Sequence, residues 1–560
     1  MRYSELCKIY EELEQNPSRL KKTEILSEFL KKLKLEKDKQ VLYLLRGKIF
    51  PDYDERETGI STQITIKALS KSTGISDREI IKTWKKTGDL GLTAEKITRD
   101  KKQNTLFSNK LTTEKVLENL QKLPELEGKG TVDKKINLIS ELLTSSSPIE
   151  AKYIIRILLS DLRIGIGAGV LRDSIVWSCL EKEKQDYEAV QEAYDKSTDW
   201  KEVFEKACKG KKELEATSLA PGKPVKVMLF QKEKTIAEGF ERVGKPALID
   251  FKYDGFRMMI NKTDSGEIKV FTRRLDNVTK QFPEVKSYVE KYVNGDSFIL
   301  DAEAVGFDPK TKAYMPFQEI SQRIKRKYDI EKTAEKLPIE LNVFDILYYN
   351  GNSLLKTPLK ERREIIEKII KNQKYKIKTA EAIITDKIKE AEKFYKKALE
   401  EGEEGIMMKN LTSPYKPGSR VGHGIKIKPQ DNEFDLVIVK AEYGTGKRAG
   451  WITSYTVACK QDNDLLEIGK VSTGLKEKED LGLSFKELTK HIKPIITKEN
   501  GREVEVKPKL VVTVVYQNIQ KSPTYSSGFA LRFPRITRLR PDRSLSDIST
   551  LAEIQKEYEK

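Results

Sequence analysis

A change of hydrophobic period constrains this chain more than any other feature. Up to about residue 215, apolar residues recur every three or four positions, as in EILSEFLKKL, KKINLISELLTS and EAKYIIRILLSDL. That is the 3.6-residue period of amphipathic helices. At SLAPGKPVKVML, Ser218–Leu229, the period stops. Short apolar or alternating runs follow (PALIDF, FRMMIN, IKVFT, SFILDAEAVGF, PIELNVFDILYY), bounded by SGE, NG and DP turns, and they read as strands. Helical stretches such as LKERREIIEKIIKN and DKIKEAEKFYKKALEEG interleave with them as far as Pro429, which gives one α+β domain. From Asp431 onward strands dominate, and five or so in about 120 residues fit a small β-barrel. A chain of 560 residues exceeds one core. The expected domains are residues 1–220, all-α; 221–429, α+β; and 430–560, a β-barrel followed by a helix in SDISTLAEIQKEYEK.

Lys and Arg total 105 against 87 Asp and Glu, a formal charge of +18. So basic a balance points to a polyanionic partner, either nucleic acid or an acidic membrane surface. With 38% hydrophobic residues and long periodic runs, the charge does not mark a disordered chain. No apolar stretch reaches 18 residues, and MRYSELCKIYEELEQ has no signal-like core, so the cytoplasm is expected and a membrane is not. Cys7, Cys179, Cys208 and Cys459 are scattered without CxxC spacing and read as ordinary thiols. With His423 and His491 the only histidines, a His-rich metal site or a Ser-His-Asp hydrolase is disfavoured.

Within the helical region, Tyr153–Ile175 (YIIRILLSDLRIGIGAGVLRDSI) stands apart. A buried-looking helix carrying Arg156 and Arg163 runs into a loop with Gly165, Gly167 and Gly169. Alternate glycines leave backbone N–H groups uncovered and suit the approach of phosphates. A helix C-cap followed by a turn explains the spacing equally well.

In the α+β region, ALIDFKYDGFRMM (Ala247–Met259) sets Lys252 between Asp250 and Asp254 in an otherwise apolar run. Lysine on the solvent face of an alternating strand is the simple account. Against it stands a series: KYDGFR at Lys252–Arg257, TRR at Thr272–Arg274, DAE at Asp301–Glu303, FD at Phe344–Asp345, EGIMMK at Glu404–Lys409 and IKIK at Ile425–Lys428. Cations supply donors for phosphate oxygens, Phe344 a ring on which a base can stack, and the acids ligands for ribose hydroxyls or Mg²⁺. Only a neutral lysine is a nucleophile. At a reference pKa of about 10.4, roughly one lysine in 2,500 is free amine at pH 7, a cost of about 4.6 kcal/mol. Nearby cations lower that cost and Asp250 and Asp254 raise it.

On these residues the chain resembles the ATP-dependent DNA ligases, in particular the archaeal form, along essentially its whole length. KYDG matches the K-x-D-G signature of covalent nucleotidyltransferases, and its weight comes from the motifs that follow in order. The resemblance implies an all-α N-terminal domain, an α+β nucleotidyltransferase (adenylation) domain and a C-terminal OB-fold β-barrel. It implies that Lys252 becomes AMP-bound, with Arg257 and Arg273 contacting the nucleotide, Glu303 near the ribose and Phe344 over adenine. Glu404, with Glu303, would be metal-associated, and Arg420, Lys426 and Lys428 would lie on the phosphate side. Asp250 stands where relatives place Glu to read the adenine amino group, and Gly424 where Trp is usual. In ALRFPRITRLRPDRS, Arg532 and Arg535 match the arginines brought to the outer phosphates of ATP, and Asp542-Arg543 replaces the common Asp-Lys ending.

YGTGKRAG is not a P-loop, because no Gly lies five residues before Gly446 and Arg448 stands where Ser or Thr belongs. Lys447 and Arg448 are expected at DNA or the barrel surface, and Arg163, Gly165, Gly167 and Gly169 at DNA phosphates. The implied cofactors are ATP and Mg²⁺. The implied partner is nicked double-stranded DNA, a sliding clamp is a further partner the resemblance allows, and a monomer associated with the nucleoid is expected.

Two other readings share part of this pattern. An RNA ligase or a capping guanylyltransferase would have the lysine motif, but capping enzymes resemble only the two later domains. A basic DNA-binding scaffold would have no need of Phe344 and Glu303 in order behind Lys252. NAD-dependent ligases carry a four-cysteine zinc module that these cysteines cannot build.

Overall fold

Helices on the 3.6-residue pattern fill the first 215 residues of the computed structural model, which describes residues 1–36, 39–54, 56, 58–99, 111–126, 128, 130–315, 317–324, 326, 328–418, 420–429, 432–444, 448, 450–477 and 482–559. Side-chain oxygens start many of them: Ser18, Ser61, Ser76 and Thr112 each accept a backbone N–H three residues on, the usual answer to unpaired N-terminal donors. The helix Pro148–Leu158 is buried from Glu150 onward. Its Arg156 is 3% exposed and held by Glu14 at 2.8 Å and Asp89 at 2.7 Å, so this arginine serves packing. No described helix is long and apolar enough to cross a membrane.

The glycine loop ends at the helix Ala168–Cys179. Arg163 and Gly165 both adopt positive φ, 60° and 67°. Lys22 Nζ donates to the Ile164 carbonyl at 2.5 Å, and a Cβ on Gly165 would lie 2.4 Å from that nitrogen. A Cβ on Gly169 would lie 3.0 Å from Arg19 Nη2. Two cations of the helix Arg19–Leu33 therefore occupy space that the alternate glycines open.

The α+β region builds two sheets from β1 (Leu229–Lys232), β2 (Ala247–Phe251), β3 (Phe256–Lys262), β4 (Ile268–Thr272), β5 (Phe298–Phe307), β6 (Ile339–Tyr349), β7 (Asn352–Ser353), β8 (Ala382–Thr385), β9 (Ile406–Asn410) and β10 (Arg420–Ile427). The first sheet runs β1-β10-β9-β2-β8, the second β4-β3-β5-β6-β7 with two short strands added at its sides. β2 is buried at all five positions because both its faces are covered. Ala247, Ile249 and Phe251 pack on the helices Ile236–Val243 and Ile388–Glu400. Leu248 and Asp250 alternate to the opposite face. One face of the second sheet (Met258, Ile260, Leu300, Ala302, Leu341, Val343, Ile346) forms a core with the helices Glu284–Tyr292 and Leu359–Ile369. The inner faces of the two sheets enclose a cavity of about 770 Å³.

Contacts divide the chain into two compact bodies, Met1–Lys428 and Pro429–Lys560. In the second, the strands Asp464–Val471, Ile452–Gln461, Asn432–Tyr443, Val511–Tyr516 and Arg535–Leu539 pair in that order. The Ile536 N–H then donates to the Thr473 carbonyl at 3.0 Å, returning the last strand to the first. Gly474 permits that closure: its φ is +103°, and a Cβ there would lie 2.1 Å from the Ile536 carbonyl oxygen. This is the small barrel expected from the strand spacing. The helix Leu551–Tyr558, with its Thr550/Glu553 capping box, follows it.

Candidate active site

Lys252 stands one residue beyond β2 and continues its ladder. The Lys252 N–H donates to the Gly405 carbonyl at 2.8 Å, and the Glu404 N–H donates to the Lys252 carbonyl at 2.9 Å. Lys252 thus opposes both Glu404 and Gly405, as in a β-bulge, and the extra residue brings Glu404 round to its side. Lys252 Nζ lies 2.6 Å from Glu404 Oε2, and Lys428 Nζ binds the same oxygen. Burial works against ionisation of Glu404, but the two ammonium groups outweigh it and bring its pKa down to about 2. Glu403 accepts the Asp254 N–H at 3.0 Å, fixing the turn after the lysine. Burial, aided by the Asp254 carboxylate, pushes Glu403 up to about 8.

Two residues, Phe344 and Asp345, separate the core residues Val343 and Ile346 of β6, because the pairing with β5 skips Phe344. This bulge turns Phe344 into the cavity while both flanking strand segments keep their core contacts. Its ring lies 4.6 Å from Lys409 Nζ and 5.3 Å from the Arg257 guanidinium. Lys409 is itself clamped by Asp250 Oδ2 at 2.5 Å. Asp250 is 2% exposed, burial raises its pKa against the opposing charge of Lys409, and its Oδ1 has no protein hydrogen-bond partner.

Arg257 is committed to protein. Its Nε donates to Asp301 Oδ1 at 2.8 Å, Nη1 to the Met228 carbonyl at 2.7 Å, and Nη2 to Asp301 Oδ2 and the Tyr415 hydroxyl. Tyr415 in turn donates to Asp301 at 2.8 Å. The guanidinium holds its proton even more firmly than usual, since burial is outweighed by Asp301. Glu303, opposite Arg257 in the register, is the partly exposed residue of an otherwise buried strand. Burial lifts it to about 7, with Lys252 and Arg257 pulling down and Asp301 and Glu404 pushing up.

The cavity wall therefore unites Asp250, Lys252, Arg257, Arg273, Glu303, Phe344 and Lys426 of the expected set. Lys428 joins them through Glu404. Gly424 stands against Phe230: a Cβ at this position would lie 2.7 Å from that ring, so β1 fills the space a larger side chain would take. Arg532 ends the strand Phe529–Arg532 and Arg535 begins the strand Arg535–Leu539, both in the second body. Arg163 is half-exposed and faces Asp161 at 2.7 Å and Asp89 at 3.3 Å, which offset its charge. Arg448 pairs with Glu477 at 2.7 Å and lies over Phe485 at 4.7 Å. Lys447 and the side chain of Arg420 lie outside the described residues. Lys409, Asp301, Tyr415 and Glu403 received no role from the sequence. EGIMMK and DAE contain two of them, Lys409 and Asp301, but spacing does not show which oxygen a lysine meets.

Residues 2–176 match the DNA ligase N terminus, 227–428 the ATP dependent DNA ligase domain and 448–543 the ATP dependent DNA ligase C terminal region. The DNA ligase of Nanoarchaeum equitans is 44% identical over 564 residues, covering 100% of this chain and 98% of that protein. The DNA ligase of Thermococcus onnurineus is 40% identical over 564 residues, with 100% and 98% covered. The solved structure "Pmar-Lig_PreS3" shares the fold at a TM-score of 0.56 and 18% identity, covering 95% of this chain and 99% of that one.

Proposed function

Because the chain belongs to the ATP-dependent DNA ligase family, which seals nicks in DNA through an adenylate, we propose that Lys252 is the residue that carries AMP. The reaction has three stages. Lys252 Nζ attacks the α-phosphate of ATP and pyrophosphate leaves; the AMP passes to the 5′-phosphate of the nick; the 3′-hydroxyl attacks that phosphate and AMP departs. What carries the reading is Lys252 Nζ, 2.6 Å from Glu404 in a cavity that also presents Phe344, Glu303 and Lys426. In this arrangement Phe344 stacks the base, Asp250 Oδ1 accepts from the adenine amino group, and Lys426 and Lys428 offset phosphate charge as it shifts. The bonds to Asp301 and Met228 make Arg257 a positioning residue with little donor capacity left for a nucleotide.

A divalent cation fits here through oxygen chemistry. Among the described residues no group of three His, Cys, Asp or Glu is placed to hold a metal, but Mg²⁺ commonly takes one or two carboxylates and completes its shell with substrate phosphates and water. Glu404 and Glu303 would hold it, and when bound it would supply charge neutralisation at the transferring phosphoryl group. Glu404 must first release an ammonium. Lys252 must shed its proton before it attacks, which removes one of the two cations on Glu404, and it stays uncharged as the phosphoramidate.

The same reading divides the chain into domains at 1–220, 221–429 and 430–560, assigns Arg532 and Arg535 to the outer phosphates of ATP, and takes the protein to be a monomer on nicked duplex DNA with a sliding clamp as a further partner. The basic net charge of +18 supports contact with a DNA backbone. The deciding experiment is incubation of the full chain with α-labelled ATP and Mg²⁺, followed by peptide mapping. Label on Lys252, lost in Lys252→Ala and in Lys252→Arg, whose guanidinium stays protonated, is the expected result. Label on another residue, or none, would falsify the assignment.

A further inference from the structure

Cys179 and Cys208 are separated by 29 positions, yet their sulfurs lie 3.4 Å apart. Cys179 ends the helix Ala168–Cys179, Cys208 is the penultimate residue of Trp200–Lys209, and each is partly exposed. Cys7 and Cys459, by contrast, are buried. All four are free thiols, yet this pair is brought together in space, because the helical core folds the second helix back beside the end of the first. A disulfide bond of ~2.05 Å requires the sulfurs to close by roughly 1.4 Å, within reach of side-chain torsions.

The pair is also chemically unequal. Cys179 lies within hydrogen-bonding distance of Cys208 and Ser178, both at 3.4 Å, with Lys34 and Lys39 nearby, and these neighbours lower its pKa to about 7 while that of its partner is raised. A thiolate is thus available at Cys179 near neutral pH, with a protonated thiol facing it.

We propose that Cys179 and Cys208 form an oxidative modification site that closes to an intramolecular disulfide under hydroperoxide and ties together the ends of their two helices. The Cys179 thiolate attacks a peroxide oxygen, the O–O bond breaks, and the departing hydroxide takes a proton to become water, leaving a sulfenic acid. The Cys208 sulfur gives up its proton and attacks the Cys179 sulfur, the S–O bond breaks, and a second water leaves. Two thiols lose two electrons and one hydroperoxide takes both. A thiol reductant reverses the bond by exchange. The helix Ala168–Cys179 starts at the glycine loop, so the crosslink fixes the far end of the element that carries that loop.

The test treats the full chain with hydrogen peroxide and maps its peptides by mass spectrometry. The expected product is a single linked peptide pair, Cys179 to Cys208, lighter by two hydrogens, with two of the four cysteines still titratable after denaturation. Dithiothreitol restores all four. The linked form should melt roughly 4 °C or more above the reduced form, with self-adenylation at Lys252 unchanged. Cys208→Ser should stop at a sulfenic acid on Cys179 that dimedone traps, whereas Cys179→Ser should leave Cys208 far less modified at the same dose. Oxidation of both sulfurs to sulfinic acids without linkage would overturn the proposal. So would links between separate chains, or modification no faster than in the urea-unfolded protein.

Discussion

Asp250 lines the cavity with its Oδ1 buried and without a protein hydrogen-bond partner, while Oδ2 holds Lys409. A buried acceptor of that kind gains from a donor and is repelled by another acceptor. Adenine offers an amino group where guanine offers an oxygen, a difference of about 1–3 kcal/mol, or roughly 5- to 150-fold. Asp250→Ala should therefore weaken self-adenylation with ATP and narrow the ATP/GTP preference, and Asp250→Glu should be tolerated. Rates with both nucleotides in all three proteins decide it; an unchanged ratio in Asp250→Ala would show that this side chain does not read the base. Glu403 gives a second prediction, in pH. An acid raised from 4.5 to about 8 keeps a proton in the folded protein that the unfolded chain releases, so rising pH across that window favours unfolding. Glu403→Gln stays neutral and can still accept the Asp254 N–H. Its stability relative to wild type should grow between about pH 5 and about pH 8 and then level off, by a few kcal/mol at most. Urea midpoints at about pH 5.5 and about pH 8.5 measure this; a constant difference would remove Glu403 as the cause. The sequence brought Lys252, Asp250 and Phe344 into view because charged or aromatic residues in buried strands invite a reason. It could not show that Lys409 meets Asp250, that four donors of Arg257 are already engaged, or that Cys179 meets Cys208. Those facts depend on tertiary distance, which residue spacing does not encode.

At the scale of elements, the period of the apolar residues located helices and strands well, since one buried face leaves its repeat in the sequence. What it missed are single-residue departures from the repeat: the extra residue at Phe344, the Glu404–Gly405 pair opposing Lys252, and the return of Arg535–Leu539 to Thr473. Each alters which face a side chain takes without altering composition. The glycine loop shows another limit, because spacing did not reveal that Lys22 Nζ lies beside Gly165. Gly474 tests the closure of the barrel. Gly474→Ala adds a Cβ 2.1 Å from the Ile536 carbonyl oxygen at a φ of +103°, and should cost about 2–4 kcal/mol. Chemical denaturation reports the loss; a variant as stable as wild type would show that the last strand is not held at this point.

Across the whole molecule, the separate cores of residues 1–428 and 429–560 make one all-or-none unfolding event an unsuitable expectation. Calorimetry of the full chain should show more than one transition, and Gly474→Ala should lower only the transition that belongs to the barrel. A single transition that moves as a whole would mean that the two bodies unfold as one. Phosphate contacts from a chain this basic need no base sequence, which agrees with an enzyme that must act at any nick. The two backbone bonds that anchor Lys252 to Glu404 and Gly405 have a further consequence, in time rather than in space. An amide held in a sheet ladder exchanges its hydrogen with solvent only when that ladder opens. The residue proposed to carry AMP thus has its backbone fixed by a ladder at the end of a buried strand, and the motion its chemistry needs comes from the Lys252 side chain and not from the strand beside it.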